Sequence, residues 1–312
     1  MHGRRTATAI AISMFAMLIG PMLAGNANAA FPGANGVIAF ARNRHGSGHI
    51  FAINADGTGE QQLTFGTSSD SQPAWSPDGT RLAFVRCCPH GVHQIYVMDV
   101  AHGGAPVNVS TSSRNQTAPA WGPNGVRIVF VSSGGIWRMS ADGENQVNIS
   151  PNGVRDADPT WSTSNSIAFV RCCPNDAKQT VWTMRPDGTH QQQYITLDDG
   201  DESASAPDWA PDATQVAFSA TYTGGQSAGL YDGNADGYGF WASQAHECST
   251  DGSCTVNTDP SYSPDGTMVA FDGYDANLPS AKIYVLQTCD CAGPATLLVK
   301  GHDPAWQPVP SA

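Results

Sequence analysis

Four histidines occur as two close pairs, His45 with His49 and His90 with His93. Imidazoles that gather in space can bind a transition metal or serve as general acid and base near neutral pH. Their spacing does not reproduce a His-Glu-x-x-His zinc motif. The four residues therefore indicate either a ligand-binding or metal site, or solvated histidines without a role.

Three arginines each end a run rich in apolar residues: Arg42 in "VIAFAR", Arg86 in "RLAFVR" and Arg171 in "SIAFVR". A guanidinium presents paired N–H donors that fit a carboxylate or a sugar acid. The alternative is that each arginine pairs with a neighbouring aspartate for structure. The sequence leaves both interpretations open.

Three aspartates precede the proline of a recurring unit: Asp158 in "DPTW", Asp259 in "DPSY" and Asp303 in "DPAW". We predict that each lies just before an innermost strand, so that the three surround the mouth of a channel and contact a ligand. The alternative is that they cap loop backbone amides. The sequence assigns no residue a catalytic role.

The stretch "YDGNADGYGFW" places Asp232, Asn234 and Asp236 at alternate positions before Gly237, in what we predict is a long loop. Oxygen ligands at this spacing, followed by a glycine, are typical of the first half of a calcium-binding loop. The twelfth position is Ser243 instead of a glutamate, so the site needs a ligand from elsewhere. Calcium is therefore a candidate cofactor, and simple turn formation is the alternative.

The cysteine count of 8 is even, which favours disulfides in an exported chain. Cys248 and Cys254 have the spacing of a hairpin bridge, whereas Cys289 and Cys291 bridge each other or the neighbouring turn. The other four form two adjacent pairs in matching loops: Cys87, Cys88, Cys172 and Cys173. These pairs form either vicinal bridges or cross-bridges between the loops, and a metal site of four thiols is the third interpretation.

A repeat supplies the elements that must position these residues. "PAWSPDGTRLAFV" is echoed 46 residues later by "PAWGPNGVRIVFV". Six starts align on the aromatic residue: Trp75, Trp121, Trp161, Trp209, Tyr262 and Trp306. Three alternating apolar runs follow each of the first five, so each unit is predicted to be four antiparallel strands joined by "PDG" and "ADG" turns. In the fifth unit the pattern assigns the third strand to "GFWASQA" and the fourth to "CTVNTD".

The two ends of the chain complete each other. The first copy, from Gly36, lacks the "PAW" strand, and the last copy, at Trp306, is only that strand. The sequence therefore predicts an all-β, six-bladed β-propeller of four-stranded antiparallel blades, closed by the C-terminal strand in blade 1. The strand directions place the tight turns on one face and the long loops on the other. We expect the histidines, arginines and three aspartates on the loop face, where binding residues concentrate.

The repeats resemble the WD40-like β-propeller repeats of the TolB family. The resemblance rests on the "PAWSPDG" starts and the six-blade count, and it covers nearly all of residues 36–308. Propellers of this family serve as protein-binding modules and as scaffolds in peptidases and polysaccharide lyases. We predict a non-catalytic module that binds a protein or an extracellular glycan on its loop face. The alternative is a metal-assisted polysaccharide lyase or hydrolase.

Residues 1–29 have the features of a secretory signal peptide, namely a basic start, an apolar run and the small residues Ala27 and Ala29 at a cleavage site. Residues 30–312 are then expected to form one propeller domain, secreted or periplasmic, monomeric and without a membrane span. The net charge is -12 with only 15 Lys+Arg. This charge argues against a nucleic-acid partner, because such binding rests on neutralising phosphates.

Overall fold

The computed structural model describes residues 31–310 except 45, 88–90, 152, 173–177, 198–200, 223–227, 235–236, 241–254, 276–280 and 289–294. These residues form 24 strands in six four-stranded antiparallel sheets. The predicted six-bladed β-propeller is therefore confirmed. The predicted signal peptide lies outside the described residues. No helix among the described residues is long and apolar enough to cross a membrane.

The first three blades follow one another along the chain, and each runs from an inner to an outer strand. Blade 1 contains β24 (His302–Val309), β1 (Ala34–Arg44), β2 (Ser47–Ile53) and β3 (Gln61–Gln62). Blade 2 contains β4 (Ser69–Trp75), β5 (Arg81–Cys87), β6 (His93–Asp99) and β7 (Val107–Asn108). Blade 3 contains β8 (Gln116–Trp121), β9 (Arg127–Ser132), β10 (Gly135–Ser140) and β11 (Val147–Asn148).

The other three blades repeat this order. Blade 4 contains β12 (Arg155–Trp161), β13 (Ile167–Cys172), β14 (Gln179–Met184) and β15 (Gln192–Gln193). Blade 5 contains β16 (Asp201–Trp209), β17 (Val216–Tyr222), β18 (Ala228–Asn234) and β19 (Gly237–Phe240). Blade 6 contains β20 (Thr255–Tyr262), β21 (Met268–Asp275), β22 (Lys282–Gln287) and β23 (Thr296–Lys300).

The C-terminal strand closes the ring. β24 pairs with β1, with Trp306 opposite Ile38 and Ala305 opposite Ala39. The predicted closure therefore holds, and the innermost strand of blade 1 comes from the end of the chain. This pairing covers an edge of β1 that would otherwise lie open toward the centre of the molecule.

The core lies between neighbouring blades because each sheet buries both of its faces. Apolar clusters join every pair of neighbours around the ring, including blade 6 with blade 1. The second strand of every blade carries one phenylalanine at the same position, and all six are at most 1% exposed: Phe40, Phe84, Phe130, Phe169, Phe218 and Phe271. The aromatic residues of the "PAW" starts are buried as well. The repeat in the sequence is therefore the repeat of these contacts.

The strand assignment of blade 5 was wrong. The third strand is β18 and the fourth is β19, which pair as a tight hairpin with Asn234 opposite Gly237. Residues of "CTVNTD" belong to β20, the innermost strand of blade 6. The "NADG" turn that joins β18 and β19 has the composition of a two-residue hairpin, and this local signal outweighs the alternation in "GFWASQA".

Candidate functional site

Each innermost strand is interrupted directly before its proline, and this position defines a ring around the central channel. There the pairing with the next strand shifts and the backbone has a positive φ, which marks a β-bulge. We call these six residues the channel ring: Gln72 (φ 51), Ala118 (φ 49), Asp158 (φ 47), Ala206 (φ 46), Asp259 (φ 50) and Asp303 (φ 53). The three aspartates that the sequence singled out are therefore brought together.

The sequence predicted each aspartate just before an innermost strand, but all three lie within their strands. β12 begins at Arg155, three residues before Asp158, and Asp156 still pairs with Arg171 on the far side of the bulge. Strand pairing continues across the bulge because only the ring residue departs from extended backbone. The channel ring is consequently inside the channel and not at its loop-face mouth.

A cavity of about 220 Å³ occupies the channel. All six ring residues line it, together with the prolines and aromatic residues that follow them in the innermost strands. Its lining continues to Pro211, Ser263 and Pro264, which belong to the tight turns after the innermost strands. Among the described residues no lysine, arginine or histidine lines this cavity. The channel is therefore acidic at the channel ring and largely apolar along the rest of its wall.

Ring side chains link one blade to the next. The backbone N–H of Gln72 donates to Oδ2 of Asp303 at 2.9 Å, and the N–H of Ala118 donates to Oε1 of Gln72 at 2.9 Å. Asp158 accepts the backbone N–H of Ala206 in the same way. Each of these side chains therefore binds the bulged backbone of the following blade. The two alanines of the ring supply no such acceptor.

The ring carboxyls also repel each other. Burial raises the pKa of Asp158 above its usual range, and the negative charge of Asp303 adds to the rise. Burial likewise raises the pKa of Asp259, with further contributions from the charges of Asp303 and Asp158. His302 lies 3.1 Å from Asp303, and this contact raises the pKa of the imidazole. A cationic group placed at this level would relieve the repulsion.

Two further buried carboxyls belong to this region and were missed in the sequence. Burial raises the pKa of Asp208 to about 6, although its carboxylate accepts the N–H of Tyr262 and the hydroxyl of Thr160. Asp272 is 1% exposed and accepts the hydroxyl of Thr258 at 2.8 Å. The available signal was positional: Asp208 follows the proline of "APDW", and Asp272 interrupts the apolar run "MVAFDG".

Asp272→Asn is expected to stabilise the protein at pH 8 by about 1–3 kcal/mol, because it removes a buried group that is costly to ionise. The pKa of Asp272 is raised in the folded protein, first by burial and then by the charge of Asp259. The folded state therefore holds this proton more tightly than the unfolded chain does. This contribution is complete below about pH 4 and is lost as the pH rises toward the raised value.

Urea unfolding between pH 4 and pH 9 measures the effect. The slope of unfolding free energy against pH should be less negative in the variant. Asp99→Asn is the control, because Asp99 is exposed and contact with His102 lowers the pKa of its carboxyl. Equal slopes in wild type and Asp272→Asn would show that Asp272 ionises normally.

The three candidate arginines are all engaged in ion pairs. Arg86 contacts Asp70 through Nε at 2.6 Å and Nη2 at 2.8 Å. Arg171 makes the same two-pronged contact with Asp156 at 2.7 Å. Their cross-strand register places each arginine opposite its aspartate. These two guanidiniums are therefore held by the fold itself.

Arg42 is the third arginine, and its partner lies outside the innermost strand. It forms a bidentate pair with Glu60, which is more exposed, and its guanidinium lies 4.1 Å from the ring centre of Phe51. The binding of a ligand carboxylate by any of the three stays a prediction. Such a ligand would have to compete with an existing carboxylate.

The candidate histidines are divided between two blades. His49 lies in β2, is buried, and lines a pocket with Arg44 and Gln62 of blade 1. His93 begins β6 in blade 2, where its backbone N–H donates to Asn115. His45 and His90 lie outside the described residues. Within the part of the chain that the structure describes, no group of three or more His, Cys, Asp or Glu is arranged to hold a metal ion.

The predicted calcium-binding segment is not a long loop. Asp232 and Asn234 lie in β18, on the hairpin described above, and Asp232 is opposite Gly239. Alternate residues of a strand share one face, so these two side chains point to the same side of the sheet. Asp236 lies outside the described residues. Calcium binding by this hairpin stays a prediction.

The cysteines are mostly beyond the described residues. Cys87 ends β5 and Cys172 ends β13, and both are partly buried. The other six lie outside the described residues: Cys88, Cys173, Cys248, Cys254, Cys289 and Cys291. The choice between vicinal and crossed bridges stays open.

Comparison with known proteins agrees with this architecture. A family model described as the TolB beta propeller domain matches residues 22–202 and 73–238. A protein named TolB homolog from Chlorobium luteolum is 27% identical over 181 residues. That match covers 58% of this chain but only 30% of the relative, so the chain spans less than a third of the relative's length.

Two solved structures show how widely the fold is shared. TolB from Acinetobacter baumannii has a TM-score of 0.70 at 16% identity, covering 88% of this chain and 67% of that one. An oligogalacturonate lyase from Vibrio parahaemolyticus has a TM-score of 0.55 at 15% identity, covering 85% of this chain and 74% of that one. At these identities the likeness concerns the fold alone.

Proposed function

Because the chain belongs to the family of TolB β-propeller domains, we propose that it is a non-catalytic module that binds a protein partner at its central channel. The observation that carries this proposal is the channel ring, which gathers Asp158, Asp259 and Asp303 around an open cavity. No basic side chain lines this cavity among the described residues. Concave sites with apolar walls and a few convergent polar groups are where ligands bind.

A lyase acting on polyuronate is the less favoured candidate. Its substrate would carry one carboxylate per sugar, and the channel presents carboxyls of the same sign. The arginines that might have neutralised such a substrate already pair with Asp70, Asp156 and Glu60. The charge of the site therefore favours a neutral or basic ligand.

The expected export of the chain is consistent with the same proposal. The N-terminal sequence has the features of a signal peptide, and TolB proteins are among those that match. We propose that the mature protein is a monomer that acts in the periplasm or outside the cell. An extracellular glycan is the alternative ligand, and the experiment below distinguishes it.

The proposal is tested by offering the purified protein a displayed library of random peptides and a glycan array in parallel. We expect peptides to be enriched and to bind within the channel. Ala118→Gln combined with Ala206→Gln fills the cavity at two ring positions, and Gln72 shows that glutamine fits the ring backbone. We expect this double variant to lose at least about tenfold in peptide affinity.

The matched control is Val107→Gln, on the outer strand of blade 2, where the side chain is 61% exposed. Its affinity for the peptides should equal that of wild type. Enrichment of glycans alone would contradict a protein partner. Peptides that bind the double glutamine variant as well as wild type would contradict the channel as the site, and would favour the loop face.

We further propose that calcium binds at the blade 5 hairpin through Asp232, Asn234 and Asp236. Calcium at about 100 times its dissociation constant should stabilise the folded protein by roughly 2.7 kcal/mol and raise its melting temperature. Asp232→Ala combined with Asp236→Ala should abolish this rise, whereas Asp99→Ala should keep it. A rise of the same size in the double variant would place the calcium elsewhere.

A further inference from the structure

Blade 6 carries a buried carboxyl where every other blade has a small or apolar side chain. The position is the second-strand residue that pairs just before the bulge. It is occupied elsewhere by Ala41, Val85, Val131, Val170 and Ser219. In blade 6 it is Asp272, opposite Thr258. A carboxyl at a core position needs a partner, because burial without one is costly.

One oxygen of Asp272 lacks that partner. Oδ1 accepts the hydroxyl of Thr258, whereas Oδ2 is buried and has no hydrogen-bond donor. The carboxyl faces Asp259 of the channel ring: burial and then the charge of Asp259 raise the pKa of Asp272, whereas a hydrogen bond with Asp272 lowers the pKa of Asp259. Two carboxyls in contact require a shared proton or a cation between them. The groups around the pair are Asp158 and Asp303, both acidic, so they strengthen this requirement.

His302 interacts electrostatically with Asp259, but it already pairs with Asp303 at 3.1 Å. Among the described residues no lysine or arginine lines the cavity in front of Asp259. The described residues therefore provide carboxyl oxygens at this point without a lysine or arginine beside them.

The shape of the channel indicates which cation fits. Each innermost strand contributes a proline to the wall, and aromatic residues follow, so the wall suits an aliphatic chain. Some carboxyl oxygens of the ring already accept hydrogen bonds: Asp303 accepts the N–H of Gln72, and Asp158 accepts the N–H of Ala206. A calcium ion needs six to eight oxygen ligands. An ammonium or guanidinium group, which donates individual N–H hydrogen bonds, needs fewer acceptor oxygens.

We propose that the channel accepts the ammonium or guanidinium head of one basic side chain of the partner, held at Asp259, whose carboxyl contacts the buried Asp272 behind it. This inference rests on the proposed binding of a protein at the channel and specifies its chemistry. The incoming head takes the place of the shared proton, which leaves to solvent. Binding should consequently release protons and weaken as the pH falls.

A tethered side chain tests this directly. Ala206 lines the same cavity and precedes Asp259 in the ring, so Ala206→Lys places an ammonium beside the carboxyls. Ala206→Met has nearly the same shape without the charge, and both variants share the same backbone position. At pH 7.5 the lysine variant should melt about 2–4 °C above the methionine variant. At pH 4 the difference should vanish, because the carboxyls are protonated.

A soluble probe gives the second measurement. Millimolar n-butylguanidinium should raise the melting temperature of wild type and release protons in calorimetry, whereas the neutral n-butylurea should do neither. The guanidinium effect should disappear in Ala206→Lys and in Asp272→Asn. Asp99→Asn should retain it.

Three results would overturn the inference. A lysine variant that melts at or below the methionine variant would show that no cation is accommodated. Stabilisation by calcium but not by n-butylguanidinium, lost in Asp259→Asn, would assign the site to a metal ion. Selected peptides whose affinity is unchanged by Asp272→Asn would leave channel binding intact and refute only the basic side chain.

Discussion

A chain that lacks residues 303–312 is expected to melt at a markedly lower temperature or to aggregate. The deletion removes most of β24 and with it Trp306, which is buried against blades 1 and 6. Truncating a buried tryptophan alone costs about 3–5 kcal/mol. The deletion also exposes the inner edge of β1 from Ala34 to Ala39, and an open edge invites pairing with another chain.

The control is removal of residues 311–312, which follow the last residue of β24, Val309. Thermal unfolding and light scattering should show no change in this control. Trp306→Ala separates the two contributions, because it empties the core but keeps the strand. Unchanged melting of the longer deletion would refute closure by the C-terminal strand.

Asp156→Ala is expected to destabilise the protein by about 3–5 kcal/mol, because it leaves the charge of Arg171 buried and unpaired. The side chains of Arg171 and Asp156 are 8% and 0% exposed. The second oxygen of Asp156 also accepts the hydroxyl of Ser150 at 2.7 Å. Urea unfolding at neutral pH measures the loss.

The chain contains a matched control for this change. Arg42 and Glu60 have the same bidentate geometry, but their side chains are 22% and 37% exposed. Glu60→Ala should therefore cost only about 0–1 kcal/mol. Equal losses in the two variants would show that burial does not set the strength of these pairs.

The fold could be read from the sequence because its contacts repeat with the chain. Each "PAW" start and each "AF" run fills the same inter-blade position, so one pattern recurs six times. The third strand of blade 5 was assigned wrongly because the turn that follows β18 was interpreted as a metal-binding loop. β18 and β19 pair with each other in a hairpin from Ala228 to Phe240.

The candidate site could be predicted only in part, because it depends on neighbours that are distant in the chain. The prolines pointed to Asp158, Asp259 and Asp303, but the hydrogen bond between Asp303 and Gln72 joins residues 231 apart. The role of Asp272 could not be predicted for the same reason, because it depends on contact with Asp259 on the adjacent strand. The arginine pairs follow from strand register, which fixes the partner only after the strands are aligned.

The central claim, that the channel ring binds the partner, is tested most directly by the affinity of a selected peptide for Asp158→Asn combined with Asp303→Asn. These changes keep the shape of two ring residues and remove their charge. We expect the affinity to fall by about tenfold or more while the melting temperature stays within a few degrees of wild type. An unchanged dissociation constant in a folded double variant would contradict the account.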